Sequence, residues 1–97
     1  MKKKLNLRIE EIARIEINEA YLWYEKQSIG LGDKFIKAFD RALNTIQKSP
    51  NGFEEYDRHR QCPLKKFPFV ILYEVTEETL YVDAVFHTSR NPDDKAR

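Results

Sequence analysis

The sequence predicts an α+β fold with the element order β-α-α-β-β-β, in which a small antiparallel sheet packs against an α-helical hairpin. Two observations predict it. Apolar residues in the first half recur at three- and four-residue spacings, interrupted by glycines at 30 and 32, which is typical of two amphipathic helices. The last third holds two runs rich in β-branched and aromatic residues, 69–75 and 79–86. At 97 residues, the chain is expected to form a single domain, 1–97.

The N-terminal half is predicted to begin with a strand and to continue as two helices. Apolar and polar residues alternate from Leu5 to Ile9, as in a short strand with one buried face. The spacing changes at Glu11 and predicts a helix that ends before Ser28. A second helix is predicted from about Leu31 to Lys48. Because few residues join the two helices, we expect an antiparallel hairpin.

The C-terminal half is predicted to supply the rest of the sheet. Weaker strand patterns lie at 53–56 and 61–64, before the two strong runs. The acidic segment 76–79 between the strong runs is expected to be a hairpin turn. Residues 91–97 are polar and are predicted to form a C-terminal tail.

Composition excludes several classes of function. The 17 Lys and Arg residues nearly balance the 16 Asp and Glu residues, so no global field attracts nucleic acid. No apolar run approaches the length of a membrane span, and the basic segment 1–4 is not followed by the apolar core of a signal peptide. The protein is therefore expected to be cytoplasmic, with no membrane partner.

Cofactor and metal motifs are missing from the sequence. It has no glycine-rich nucleotide loop, no HExxH pair and no zinc-finger spacing, so neither a cofactor nor a metal is predicted. Cys62 is the only cysteine, which excludes an internal disulfide, and we expect it to be a buried apolar residue. The two histidines, His59 and His87, are too few for a metal site without carboxylate partners that the sequence cannot place.

Short motifs occur in a characteristic order along nearly the whole chain. In chain order they are Ala20–Glu25, Gly30–Phe35, Ile46 with Ser49-Pro50, Arg60, Leu64 with Phe67–Phe69, Ala84–His87 and Arg90–Pro92. In this order they resemble the RelE/ParE toxins of bacterial type II toxin–antitoxin systems, and the ParE-like (plasmid stabilisation) branch in particular.

The resemblance implies a toxin that is neutralised by a cognate antitoxin. In this superfamily, ParE-like members inhibit DNA gyrase, whereas RelE-like members cut mRNA on the ribosome; the fold does not choose between them. We expect a ParE-like toxin that inhibits growth by binding a protein target, with gyrase as the candidate. The alternatives are a ribosome-dependent, metal-independent endoribonuclease and a toxin-fold binding module that has lost its potency.

The site residues favour contact over catalysis. A ribonuclease needs an acid, a base and cations around the phosphate. RelE-like members carry an Arg in the third strand, where this chain has the apolar segment 69–73. Under the ribonuclease hypothesis, the candidate catalytic residues are His87, Arg90, Lys65 and Lys66. Under the hypothesis that the toxin binds a protein target, the candidate contact residues are Arg60, His87 and Arg90.

Each candidate also has a purely structural interpretation. Arg60 has acidic neighbours to pair with at positions 54, 55 and 57, the two lysines suit a solvated turn, and His87 suits a hydrogen bond at a strand end. Four aromatic residues are expected in the core: Trp23, Tyr24, Phe35 and Phe39. The antitoxin is expected in the groove between the helical hairpin and the sheet, or along the edge of the first or last strand.

Overall fold

The computed structural model describes residues 4–88, and its elements follow the predicted order. The helices are α1, Glu11–Gln27, and α2, Leu31–Lys48. The strands are β1, Asn6–Ile9, β2, Glu55–Tyr56, β3, His59–Pro63, β4, Phe69–Thr76, and β5, Thr79–His87. The α+β class and the predicted order are confirmed. Strand β2 lies within the weaker pattern at 53–56, and β3 begins two residues before the weaker pattern at 61–64. The predicted tail 91–97 lies outside the described residues.

The strands form one sheet in the order β1-β5-β4-β3-β2. Strands β2 to β5 pair in antiparallel fashion, whereas β1 is parallel to β5, which makes the sheet mixed. The N–H groups of Asn6 and Glu10 anchor β1 by donating to the carbonyls of Glu78 (2.8 Å) and Val82 (3.0 Å). The edge of β5 was one predicted antitoxin surface; β1 covers that edge from Thr79 to Val82, and residues 83–87 of β5 have no pairing with β1.

The core lies between the two helices and one face of the sheet. Its largest fully buried side chains are Tyr73, Phe35, Ile46, Ile71, Leu80, Val82 and Val85. Cys62 is also buried here, as predicted, and burial raises the pKa of its thiol to about 11. The Tyr73 hydroxyl donates a 2.7 Å hydrogen bond to the Pro50 carbonyl. Burial raises the pKa of Tyr73 to about 12.

The turn between the helices depends on two glycines and one carboxylate. Gly30 has a φ of 90°, in the left-handed region that favours glycine. A Cβ on Gly32 would lie 2.7 Å from the Tyr21 carbonyl oxygen, so α1 and α2 approach too closely for any side chain there. The Glu25 carboxylate accepts 2.9 Å hydrogen bonds from the N–H groups of both glycines. Glu25 of α1 therefore caps the N-terminus of α2.

Within residues 4–88, no helix has the length and apolar character needed to cross a membrane.

Candidate protein-binding groove

A groove of about 800 Å³ opens between α1 and the adjoining ends of β4 and β5. Its lining combines apolar and aromatic side chains with two glutamates and a histidine. The lining residues are Glu16, Glu19, Ala20, Trp23, Tyr24, Pro68, Phe69, Val85, Phe86 and His87. The groove lies where the sequence predicts an antitoxin site, between the helical hairpin and the sheet.

Glu16 joins α1 to the sheet at one wall of the groove. Strand β1 pairs with β5 only as far as Val82, so the Val85 N–H has no strand partner on that side. The Glu16 carboxylate accepts this N–H at 2.7 Å. Burial raises the pKa of the Glu16 carboxyl. The hydrogen bond from Val85 lowers this pKa, and the nearby charge of Glu19 raises it further. No local pattern predicts this contact, because the two residues lie 69 positions apart.

Helix α1 exposes apolar side chains along the rim of the groove and beyond it. Ile12 is 60% exposed, Trp23 57%, Leu22 51% and Ile15 49%, whereas only Ala13 and Ala20 of this helix are buried. The predicted core position of Trp23 is therefore wrong, although Phe35 and Phe39 are buried as expected. Trp23 meets Tyr24 edge to face, with ring centroids 5.1 Å apart, which leaves its outer face in solvent.

His87 lies at the last position of β5, the strand end that the sequence indicates, and lines the groove. Its ring contacts Phe69 edge to face, with centroids 5.1 Å apart. The two residues are Cα partners across β4 and β5, so the sheet fixes the backbone on which the imidazole is mounted.

Lys65 and Lys66 lie in the connection between β3 and β4 and are exposed, as expected for a solvated turn. Lys66 has a φ of 71°, a conformation that reverses the chain. The Leu64 N–H donates to the Phe69 carbonyl at 2.9 Å, which closes this turn at the end of the sheet where His87 lies. The fold thus brings the two lysines and His87 to the same end of the sheet.

Arg60 lies elsewhere. It pairs with Tyr73, which pairs in turn with Val82, five positions along β5 from His87. At strand geometry this separation is about 16 Å. The guanidinium donates to the Phe53 carbonyl at 2.8 Å and lies 3.8 Å from Glu55, one of the acidic neighbours considered for it. Arg90 lies outside the described residues.

Comparison with known proteins gives consistent matches. Residues 7–92 match the family described as ParE toxin of type II toxin-antitoxin system, parDE. Toxin ParE2 of Mycobacterium tuberculosis (strain CDC 1551 / Oshkosh) is 27% identical over 88 residues, which cover 89% of this chain and 84% of the relative. Toxin ParE2 of strain ATCC 25618 / H37Rv gives the same values.

A solved structure shares the fold. A chain of the chromosomal ParDE TA system from P. aeruginosa superimposes with a TM-score of 0.75 at 16% identity, covering 87% of this chain and 96% of that chain. At this identity the likeness shows the fold alone.

Proposed function

Because the chain belongs to the ParE toxin family of type II toxin–antitoxin systems, we propose that it inhibits growth by binding DNA gyrase in the cytoplasm and that a cognate antitoxin neutralises it. The family match confirms the ParE-like resemblance drawn from the sequence. The target, the growth inhibition and the mode of neutralisation are the proposed part.

The observation that carries the proposal is the apolar surface of α1. Four large apolar side chains of one helix are about half exposed or more, and one of them, Trp23, lines a groove of about 800 Å³. Several exposed large apolar side chains on one helix, next to an apolar groove, are typical of a site that binds another protein. Trp23 on the rim is the residue type that most often dominates the free energy of such contacts.

We propose that the occupant of the groove in the neutralised state is an amphipathic helix of the antitoxin. The groove is apolar along Ala20, Phe69 and Val85 and carries Glu16 and Glu19 on its α1 side. An apolar helix face with a basic flank complements such a lining. The outer edge of β1 is the second contact surface, because β1 is the end strand of the sheet.

The candidate contact residues are distributed over two surfaces. His87 contacts the partner from inside the groove, where its ring lies against Phe69. Arg60 contacts a partner from the far end of β3, where Phe53 and Glu55 hold its guanidinium in place. Arg90 follows β5, three positions after His87 in the sequence.

The alternative is a ribonuclease, and one observation favours it. His87 lies at the same end of the sheet as Lys65 and Lys66, so an acid–base group and two cations are found at one end of the sheet. Against this, β4 contains no Arg, and Arg60 lies about five residue positions away along the sheet. The binding proposal needs no such catalytic set.

The test is induction of the toxin without antitoxin, with plasmid supercoiling and mRNA integrity measured in the same cells. We expect growth arrest with loss of negative supercoiling, intact translated mRNA, and recovery when the antitoxin is supplied. Cleavage of translated mRNA that Arg90→Ala abolishes, at normal supercoiling, would favour the ribonuclease. Unimpaired growth at full expression would contradict both activities and would favour a toxin-fold binding module that has lost its potency.

A further inference from the structure

Three ionisable side chains meet on the sheet at a place that the groove does not include. His59 is on β3, Glu74 on β4 and Asp83 on β5, three adjacent strands. His59 and Glu74 follow directly from the Arg60–Tyr73 pair, so they face each other across the two strands. The backbone of each residue is therefore held by the sheet.

The distances among the three groups fit a shared cation. The Nε2 atom of His59 lies 3.0 Å from Asp83 Oδ2 and 3.6 Å from Glu74 Oε2. All three potential ligand atoms lie within 4.8 Å of one another. Zinc–nitrogen and zinc–oxygen bonds of about 2.0–2.2 Å place neighbouring ligand atoms about 3–3.5 Å apart. Glu74 lies slightly farther away than this spacing, so binding of all three groups to one ion requires a rotation of its side chain.

A β-bulge delivers the third ligand. Leu72 pairs with Ala84 and Tyr73 pairs with Val82, so Asp83 is an extra residue with no partner in β4. Bulges redirect the side chain that they carry and occur often beside functional sites. Here the bulge places the Asp83 carboxylate against His59.

The Asp83 carboxylate has an oxygen that the surrounding residues do not satisfy. Its Oδ2 is shielded from solvent and accepts no hydrogen bond among the described residues, and its nearest polar contact is the His59 Nε2 atom at 3.0 Å. Burial raises the pKa of Asp83 to about 7, and Glu74 and Glu10 add to the rise. A shielded carboxylate oxygen beside two other carboxylates costs free energy that a bound cation offsets.

We infer that His59, Glu74 and Asp83 bind one divalent first-row transition cation, with Zn²⁺ as its representative. An imidazole nitrogen favours this class over Mg²⁺ and Ca²⁺, which take oxygen ligands. Three protein ligands leave the ion at least one position for water. The ion ties β3, β4 and β5 together and reaches neither α1 nor the groove residues.

The test is a calorimetric titration of the metal-free full-length chain with ZnCl₂, repeated with MgCl₂. We expect one equivalent of Zn²⁺ to bind and to raise Tm by about 4 °C or more at saturation, with no response to Mg²⁺. His59→Ala and Asp83→Asn should each weaken Zn²⁺ binding about tenfold or more. The matched control is His87→Ala, which alters the only other histidine of the chain and should keep the affinity.

A second measurement separates ligand loss from misfolding. Co²⁺ bound at the site should give visible absorption bands in the wild type that disappear in Asp83→Asn, while circular dichroism and Tm of the metal-free variant stay at or above the wild-type values. The inference is overturned if Zn²⁺ does not bind, if His59→Ala binds it with unchanged affinity, or if His87→Ala abolishes binding.

Discussion

The two helices use their apolar residues in opposite ways. Helix α2 buries seven residues, including Phe35, Phe39 and Ile46, and encloses the core against the sheet. Helix α1 buries only Ala13 and Ala20, yet it carries Ile12, Ile15, Leu22 and Trp23 in solvent. The two helices have similar lengths and lie in one hairpin, so length and connection do not explain the difference.

The difference indicates which surface is available for another protein. One face of α2 supplies the apolar area that the core needs, and the small residues of α1 let that helix lie close to it. Ile17 and Tyr24 of α1 also pack against the core. The four exposed apolar residues of α1 are free to contact a partner. A ParE-family toxin is expected to have such a surface, because a type II antitoxin acts by binding its toxin.

The largest effect should come from Phe35→Ala. Phe35 is fully buried and packs against the rings of Tyr24, Phe67 and Phe69. Its truncation should lower the free energy of unfolding by about 3–5 kcal/mol, measured by urea titration. The matched aromatic change, Trp23→Ala, should cost less than about 1 kcal/mol. Equal losses in the two variants would show that the exposed apolar residues of α1 contribute as much to stability as the buried ones of α2.

The next effect should appear in binding. Trp23→Ala should weaken the complex with the antitoxin by about 2 kcal/mol, or about thirtyfold in Kd, because exposed tryptophans dominate protein contacts. Isothermal titration of both proteins measures it. Asn18→Ala is the control, since Asn18 is an exposed polar residue of α1 outside the groove lining. An unchanged Kd for Trp23→Ala would show that the antitoxin binds another surface of the toxin.

A smaller effect on stability should come from the contact by which Glu25 of α1 caps the N-terminus of α2. Glu25→Ala removes the acceptor for the N–H groups of Gly30 and Gly32, and should lower the free energy of unfolding by about 1–2 kcal/mol. Thermal melts with Glu19→Ala as the control measure it. Equal stability of the Glu25→Ala and Glu19→Ala variants would show that α2 does not need this cap.

The smallest effect on stability concerns the hydroxyl group of the buried Tyr73. Tyr73→Phe removes the hydrogen bond to the Pro50 carbonyl and should cost about 1 kcal/mol at neutral pH. The pKa of Tyr73 is raised to about 12 in the folded state, against about 10 in the unfolded chain. The folded state therefore holds the Tyr73 hydroxyl proton more tightly than the unfolded chain does. The contribution of this hydroxyl to the free energy of unfolding is fully present below pH 10.

That stabilisation is lost as pH rises through about 10 to 12. Unfolding titrations across this range should show a steeper loss of stability in the wild type than in Tyr73→Phe. Because Cys62 also titrates in this region, with its pKa raised to about 11, the difference between the two proteins is the quantity to use. Parallel curves would contradict the assignment to Tyr73.

Local patterns in the sequence predicted most of the fold. Helix α2 has the predicted bounds, and β4 and β5 differ from their predicted ends by one residue each. These elements have strong apolar spacing and are bounded by Gly, Pro or acidic turns. The parallel pairing of β1 with β5 was missed because it joins residues more than 70 positions apart, and no local pattern records a strand's partner.

The site was less predictable for the same reason. Helical spacing shows that Trp23 and Ile12 belong to apolar stripes, but it cannot show which stripe the sheet covers. An antitoxin site in the groove between the helical hairpin and the sheet was predicted from the family resemblance, but the position of His87 in the lining was not. The meeting of His59 with Glu74 and Asp83 depends on a strand register and a bulge, which the sequence pattern did not indicate.

The most direct test of the proposed function is DNA supercoiling by purified gyrase in the presence of the purified toxin. Micromolar toxin should block supercoiling, and antitoxin added in equal amount should restore it. Full supercoiling at micromolar toxin, from a preparation that still binds its antitoxin, would contradict the proposed function.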